Sequence, residues 1–114
     1  MIATIYDDTI TAFLEHDLCA LIVARSTCNQ CISYIGDVRQ LVETGALGDT
    51  RVGVLMLDQP GVSQFMLANP WLASTEILPY TMLFRKGERV DGFSAQREHY
   101  LVDLGRQPEL VTMS

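Results

Sequence analysis

At 114 residues, with 48 % apolar and 19 % charged side chains, the chain is long enough for one hydrophobic core, too short for two, and too apolar to be disordered. A net charge of −6 with a single lysine excludes a surface built to grip nucleic acid or an anionic membrane, since both need concentrated positive charge. Three cysteines do not make a disulfide framework, no stretch reaches the length of a membrane span, and residues 1–8 hold no basic patch before an apolar run, so a cytoplasmic location is expected.

In chain order, residues 2–6 read as a short first strand. Asp7, Asp8 and Thr9 are capping residue types, and Ile10, Phe13 and Leu14 follow at helical spacing, which predicts a helix over residues 8–16. Residues 18–24, Leu-Cys-Ala-Leu-Ile-Val-Ala, do not alternate, so both faces of this strand must be covered, as in a parallel strand between helix layers. After Arg25-Ser26-Thr27-Cys28-Asn29-Gln30-Cys31, the residues Ile32, Ile35, Val38, Leu41 and Val42 recur at the spacing of an amphipathic helix, which should run to about Thr44 and stop at Gly45.

Residues 52–57 predict a second buried strand, ended by the turn cluster Asp58-Gln59-Pro60-Gly61. A short helix over 62–68 closes at Asn69-Pro70, and 71–78 are irregular, with Trp71 expected to plug the core. Residues 80–84 and 89–93 are strands joined by Arg85-Lys86-Gly87-Glu88, an antiparallel hairpin. Ser94 is read as the cap of a last helix whose inward stripe is Tyr100, Leu101 and Leu104 and whose stop is Gly105. That leaves one domain over 1–105 and, with Pro108 and no periodicity, a flexible tail over 106–114.

The C-x-x-C pair thus falls where a strand's carboxyl end meets a helix amino terminus. Unpaired backbone N–H groups and the helix dipole favour negative charge there, and the thiolate is the form of cysteine that attacks disulfides. Cys31, one turn on and more deeply placed, is close enough to bond Cys28 and too recessed to compete for substrates. This reading makes Cys28 the nucleophile and Cys31 the resolving partner. Two others stay open at this point: a pair of inert thiols, or half of a zinc site, for which Cys19, His16 and His99 are the only further candidates and follow no metal-binding spacing.

The order strand, helix, strand, helix, strand, helix, strand, strand, helix, with the cysteine pair after the second strand, resembles the thioredoxin family over nearly the whole chain. Leu57-Asp58-Gln59 and Ile77-Leu78-Pro79-Tyr80-Thr81-Met82-Leu83-Phe84-Arg85-Lys86-Gly87-Glu88 match that family in order and spacing. The resemblance implies an α/β thioredoxin-like fold: a central mixed sheet of four to five strands flanked by about four helices. It implies a thiol:disulfide oxidoreductase with Cys28 and Cys31 catalytic and their redox-active disulfide in place of any cofactor or metal. The partners implied are protein disulfide substrates and an external thiol reductant or reductase. A cis peptide bond at Pro79 would face the cysteines, the backbone of Leu78 would pair with an extended substrate segment, and Gly92 would lie beside the site, with Thr27, Asn29 and Gln30 completing the substrate contacts. The family's W-C-G-P-C is here Thr27-Cys28-Asn29-Gln30-Cys31, and its buried aspartate and nearby lysine align with Ile22 and Val54. These departures motivate the alternative expectation of a thioredoxin-like binding adaptor with little or no redox turnover.

Overall fold

A computed structural model describes residues 2–106. The elements are β1 (Ala3–Thr4), α1 (Ile10–Phe13), β2 (Leu18–Ala24), α2 (Asn29–Glu43), β3 (Arg51–Met56), α3 (Ser63–Ala68), two 3-10 turns (Pro70–Ala73 and Thr75–Ile77), β4 (Tyr80–Arg85), β5 (Glu88–Ser94) and α4 (Glu98–Arg106). One five-stranded sheet has the order β1-β3-β2-β4-β5. β1 and β2 run parallel to β3, β4 is antiparallel to β2, and β5 is antiparallel to β4. This is the mixed sheet expected, with the last two strands as its antiparallel half.

The sheet is covered on both faces, and the register shows by what. Leu21 lies opposite Gly53 on β3 and Met82 on β4, whereas the next residue, Ile22, lies opposite Val54 and Thr81. Successive residues of a strand point to opposite faces. At Gly53 an added Cβ would lie 2.6 Å from Ile5 and 2.9 Å from the Phe13 ring, so α1 covers the Leu21 face. Thr81 bonds Tyr34 of α2, so α2 covers the Ile22 face. With a layer on each side, Cys19 through Ala24 are all fully buried, which explains their lack of alternation.

Local differences from the sequence expectations have identifiable causes. α1 spans only Ile10–Phe13, because the Thr9 hydroxyl accepts from Tyr6 N at 2.9 Å instead of capping the helix. The Asp7 carboxylate caps a different helix: it accepts from Gln64 N at 2.9 Å and Phe65 N at 3.0 Å, satisfying donors at the start of α3. Ser94 is the last residue of β5 and not a helix cap; it pairs with Tyr80, and α4 begins at Glu98. Gly105 does not stop α4, which is helical through Arg106. The side chain of Leu104, and from residue 107 onward the expected tail, lie outside the described residues.

Trp71 is 41 % exposed and does not plug the core. Its ring meets Tyr80 edge-on with centroids 5.0 Å apart, and the Arg89 guanidinium lies 5.4 Å from its centroid. Arg89 also donates to the Tyr80 hydroxyl at 2.7 Å.

At Gly53 the side chains of Ile5, just after β1, and of Phe13 in α1 close directly on the β3 backbone. Gly53→Ala should therefore lower stability by about 1–3 kcal/mol through overpacking, read as a lower urea midpoint with an unchanged slope.

Candidate active site

α2 begins where β2 ends, and the four residues between them set the position of the first sulfur. Cys28 is the N-cap of α2, with extended backbone, and its sulfur accepts from Cys31 N at 3.1 Å. Cys28 and Cys31 are joined as a disulfide across a Cα–Cα distance of 5.2 Å. Cys28 is half-buried and Cys31 has no exposed surface, so a partner approaching from solvent meets Cys28 first. Thr27, Asn29 and Gln30 are exposed around it.

The loop before the pair is tied to the end of β3. Asp58 accepts from Ser26 N at 3.1 and 3.2 Å through its two carboxylate oxygens, and the Ser26 hydroxyl also donates to it. These side-chain and backbone bonds from Ser26, together with the charge of Arg25, hold the Asp58 carboxyl below its ordinary value. Arg25 thus acts on Asp58, the residue of the Leu57-Asp58-Gln59 match.

The second wall comes from β4. In the antiparallel register Val23 lies opposite Tyr80, so the residue before Tyr80 sits level with the end of β2 from which the cysteine loop departs. That residue is Pro79, and the Leu78-Pro79 peptide bond is cis. Both Leu78 and Pro79 are buried. The third wall is the turn after β5. Ala95 N donates to Pro79 O at 3.0 Å, and the Gln96 side-chain amide donates to Gln30 O at 3.1 Å. One turn therefore touches both the proline loop and the first turn of α2.

Gly92 is not brought to this edge. It pairs with Met82, two positions back from the Tyr80 and Ser94 pair, and space for a side chain there is filled by the Tyr80 phenol and the Arg89 guanidinium, the latter at 2.8 Å. The residues that reach Pro79 are Ser94 and Ala95, and Ala95 has a φ of +74°. A left-handed residue at this position would signal glycine in a sequence; alanine hides it. Gln96 carries no sequence signal at all, since its role depends on a contact 66 residues away.

The other cysteine and the histidines stand apart. Cys19 is the second residue of β2, at the opposite end of that strand from the disulfide, and its thiol donates to Phe13 O at 3.3 Å and His16 O at 3.5 Å. Burial pushes this thiol above its usual value, with the charge of Arg51 opposing. His16 Nε2 bonds Asp49 O at 2.8 Å, and His99 is exposed on α4. Among the described residues no group of three or more His, Cys, Asp or Glu side chains comes together as a metal site, and no helix is long and apolar enough to cross a membrane.

Two outcomes follow. Ala95→Gly removes the cost of holding a Cβ in the left-handed region and should raise stability by about 1 kcal/mol, read as a higher urea midpoint. For Asp58, whose ordinary value is 3.8, the folded carboxyl releases its proton more readily than the unfolded one. Its contribution is therefore present above that value and lost as pH falls through the lower folded value. The unfolding midpoint of the wild type should drop in that acid window by more than that of Asp58→Asn.

No protein-family model and no curated protein sequence matches the chain. Solved structures do. Thioredoxin f2 from Chlamydomonas reinhardtii superposes with a TM-score of 0.74 over 96 % of this chain and 97 % of its own, at 17 % identity. An oxidised thioredoxin from Plasmodium falciparum gives 0.74 over 95 % and 98 %, at 11 % identity. A thioredoxin from Halobacterium salinarum gives 0.72 over 90 % and 86 %, at 19 % identity. Sheet order, helix placement and these superpositions agree, and the chain has the thioredoxin fold.

Proposed function

We propose that this protein is a thiol:disulfide oxidoreductase that exchanges disulfides with protein substrates through Cys28 and Cys31. The observation that carries the reading is the Cys28 to Cys31 disulfide at the start of α2, with one sulfur reachable from solvent and the other enclosed. The helix start supplies what the attacking sulfur needs. Cys31 N already points at the Cys28 sulfur, and that N–H together with the dipole of α2 stabilises a thiolate there.

In the reducing direction the Cys28 thiolate attacks one sulfur of a substrate disulfide. A Cys28 to substrate bond forms, the substrate S–S bond breaks, and one substrate thiolate leaves. The Cys31 thiolate then attacks the Cys28 sulfur, which closes the internal disulfide and releases the second substrate thiolate. Two electrons pass to the substrate, the two protons of the dithiol go to the departing sulfurs, and an external thiol donor or reductase restores the pair. The same steps reversed would oxidise a substrate dithiol.

Thr27, Asn29 and Gln30 are placed to meet the substrate beside Cys28, and the backbone at Leu78 and Pro79 is placed to line an extended substrate segment. The turn at Ala95, bonded to Pro79, takes the position expected for Gly92. The aromatic shoulder of the family motif is missing before Cys28, where Thr27 stands. A reducing compartment such as the cytoplasm suits this chemistry, because there the pair would be opened by a donor after each turnover.

Insulin reduction by dithiothreitol tests the reading. Wild-type protein should accelerate it several-fold over dithiothreitol alone, and Cys28→Ala should return it to the uncatalysed rate. Equal rates for the two proteins would leave a binding adaptor as the better account. Cys31→Ser, which cannot close the internal disulfide, should accumulate mixed disulfides with cellular proteins, seen as reductant-sensitive bands on gels; no such species alongside a reactive Cys28 would contradict the exchange mechanism.

A further inference from the structure

Thr81 is, among the described residues, the one conventionally polar residue in the core, with no exposed surface. Its hydroxyl and that of Tyr34, also fully buried, lie 2.9 Å apart. A polar group is buried at a cost that a hydrogen bond offsets only when the group is fully used. This pair is not fully used. Two hydroxyls bring two protons, one bond consumes one of them, and among the described residues neither oxygen has another partner. Among the described residues, one buried O–H has no protein acceptor while the disulfide is closed.

The position of that spare donor is informative. Tyr34 follows Cys31 by one helical turn, and both are buried against the sheet on the same face of α2. Helical side chains lean toward the amino terminus, which directs the Tyr34 phenol toward the turn that carries Cys31; with the disulfide closed its hydroxyl bonds Thr81 and neither sulfur. Thr81 lies directly opposite Ile22 on the neighbouring strand and shares its face. The hydroxyl pair therefore lies on the sheet face that α2 covers with Cys31 and Tyr34.

We infer that Tyr34, oriented by a hydrogen bond from Thr81, donates its own O–H to the sulfur of Cys31 once the disulfide opens, and thereby stabilises the reduced dithiol. The inference rests on the exchange chemistry proposed above. The step is a hydrogen bond and transfers no proton: two glutathione thiols give up two electrons and two protons to the disulfide, forming oxidised glutathione and the dithiol, and the donor acts on the Cys31 sulfur in that product. Burial, opposed by the Thr81 bond and reinforced by the charge of Glu98 on α4, pushes the Tyr34 hydroxyl up to about 12, so it stays protonated as a donor across the working range. One carboxylate oxygen of Glu98 is itself buried without a hydrogen-bond partner, so it takes no bond from either hydroxyl of the pair.

The test is the equilibrium constant for reduction of the Cys28 to Cys31 disulfide by glutathione, measured on the full chain with thermal unfolding recorded in parallel. Tyr34→Phe, which removes only the hydroxyl, should lower the constant about tenfold, equivalent to about 30 mV toward a more reducing couple. Thr81→Val, which removes the orienting partner at nearly constant volume, should shift it the same way by about threefold, and Thr81→Ser, which keeps the hydroxyl, should stay within twofold of wild type. A constant within twofold of wild type for both Tyr34→Phe and Thr81→Val, whatever happens to thermal stability, would reduce the pair to a structural tie between α2 and β4 and overturn the inference. So would a shift for Thr81→Ser as large as that for Thr81→Val. If the wild type itself gives no reducible couple, the oxidoreductase reading fails, and this one falls with it; a wild type that cycles normally confines any failure to the hydroxyl pair.

Discussion

β2 has no solvent side, and the placement of the disulfide depends on that constraint. A strand paired on both edges and covered on both faces cannot shift its register without exposing a full set of apolar side chains. Its carboxyl end is therefore a fixed point. Four residues later the chain turns into α2, and that short connection delivers Cys28 to the helix start and Cys31 to the sheet beneath it. The flanking strands β3 and β4, each paired with β2, bring Asp58 and Pro79 to the same end. The site is an assembly of strand ends, held by the sheet and trimmed by loops.

That organisation explains which parts could be read from the sequence. The unbroken run 18–24 identified β2 because burial on both faces removes alternation, and the spacing from Ile32 to Val42 identified α2 because one face is buried and the other is not. The cysteine pair was legible for the same reason: it lies between the two strongest patterns in the chain. The proline match located the second wall. Each of these signals is local, or repeats at a period that local sequence displays.

The unread features all depend on partners far along the chain. Asp7 looks like a cap for the helix that follows it but caps α3, 57 residues away. Ser94 resembles a helix cap and is held in β5 by Tyr80. Trp71 has the composition of a core residue, yet a neighbouring tyrosine and arginine give it a place at the surface. Ala95 takes a backbone conformation that its residue type disfavours, because the turn must bring its N–H to Pro79. Ser26 and Gln96 act through backbone geometry that no residue pattern announces. The consequence for the site is specific. The resemblance puts Gly92 beside the cysteine pair, and the strand register brings residues 94–96 to the proline loop and the start of α2 instead.

The central claim is that the two sulfurs are chemically unequal: one is an accessible nucleophile favoured as thiolate, the other an enclosed resolving group. Alkylation of the fully reduced protein by iodoacetamide at neutral pH, followed by mass-spectrometric assignment of the modified cysteine over time, tests this most directly. The account predicts that Cys28 is modified at least ten times faster than Cys31, and faster than a free cysteine in a short peptide under the same conditions. Equal rates at the two positions, or Cys31 modified first, would contradict it.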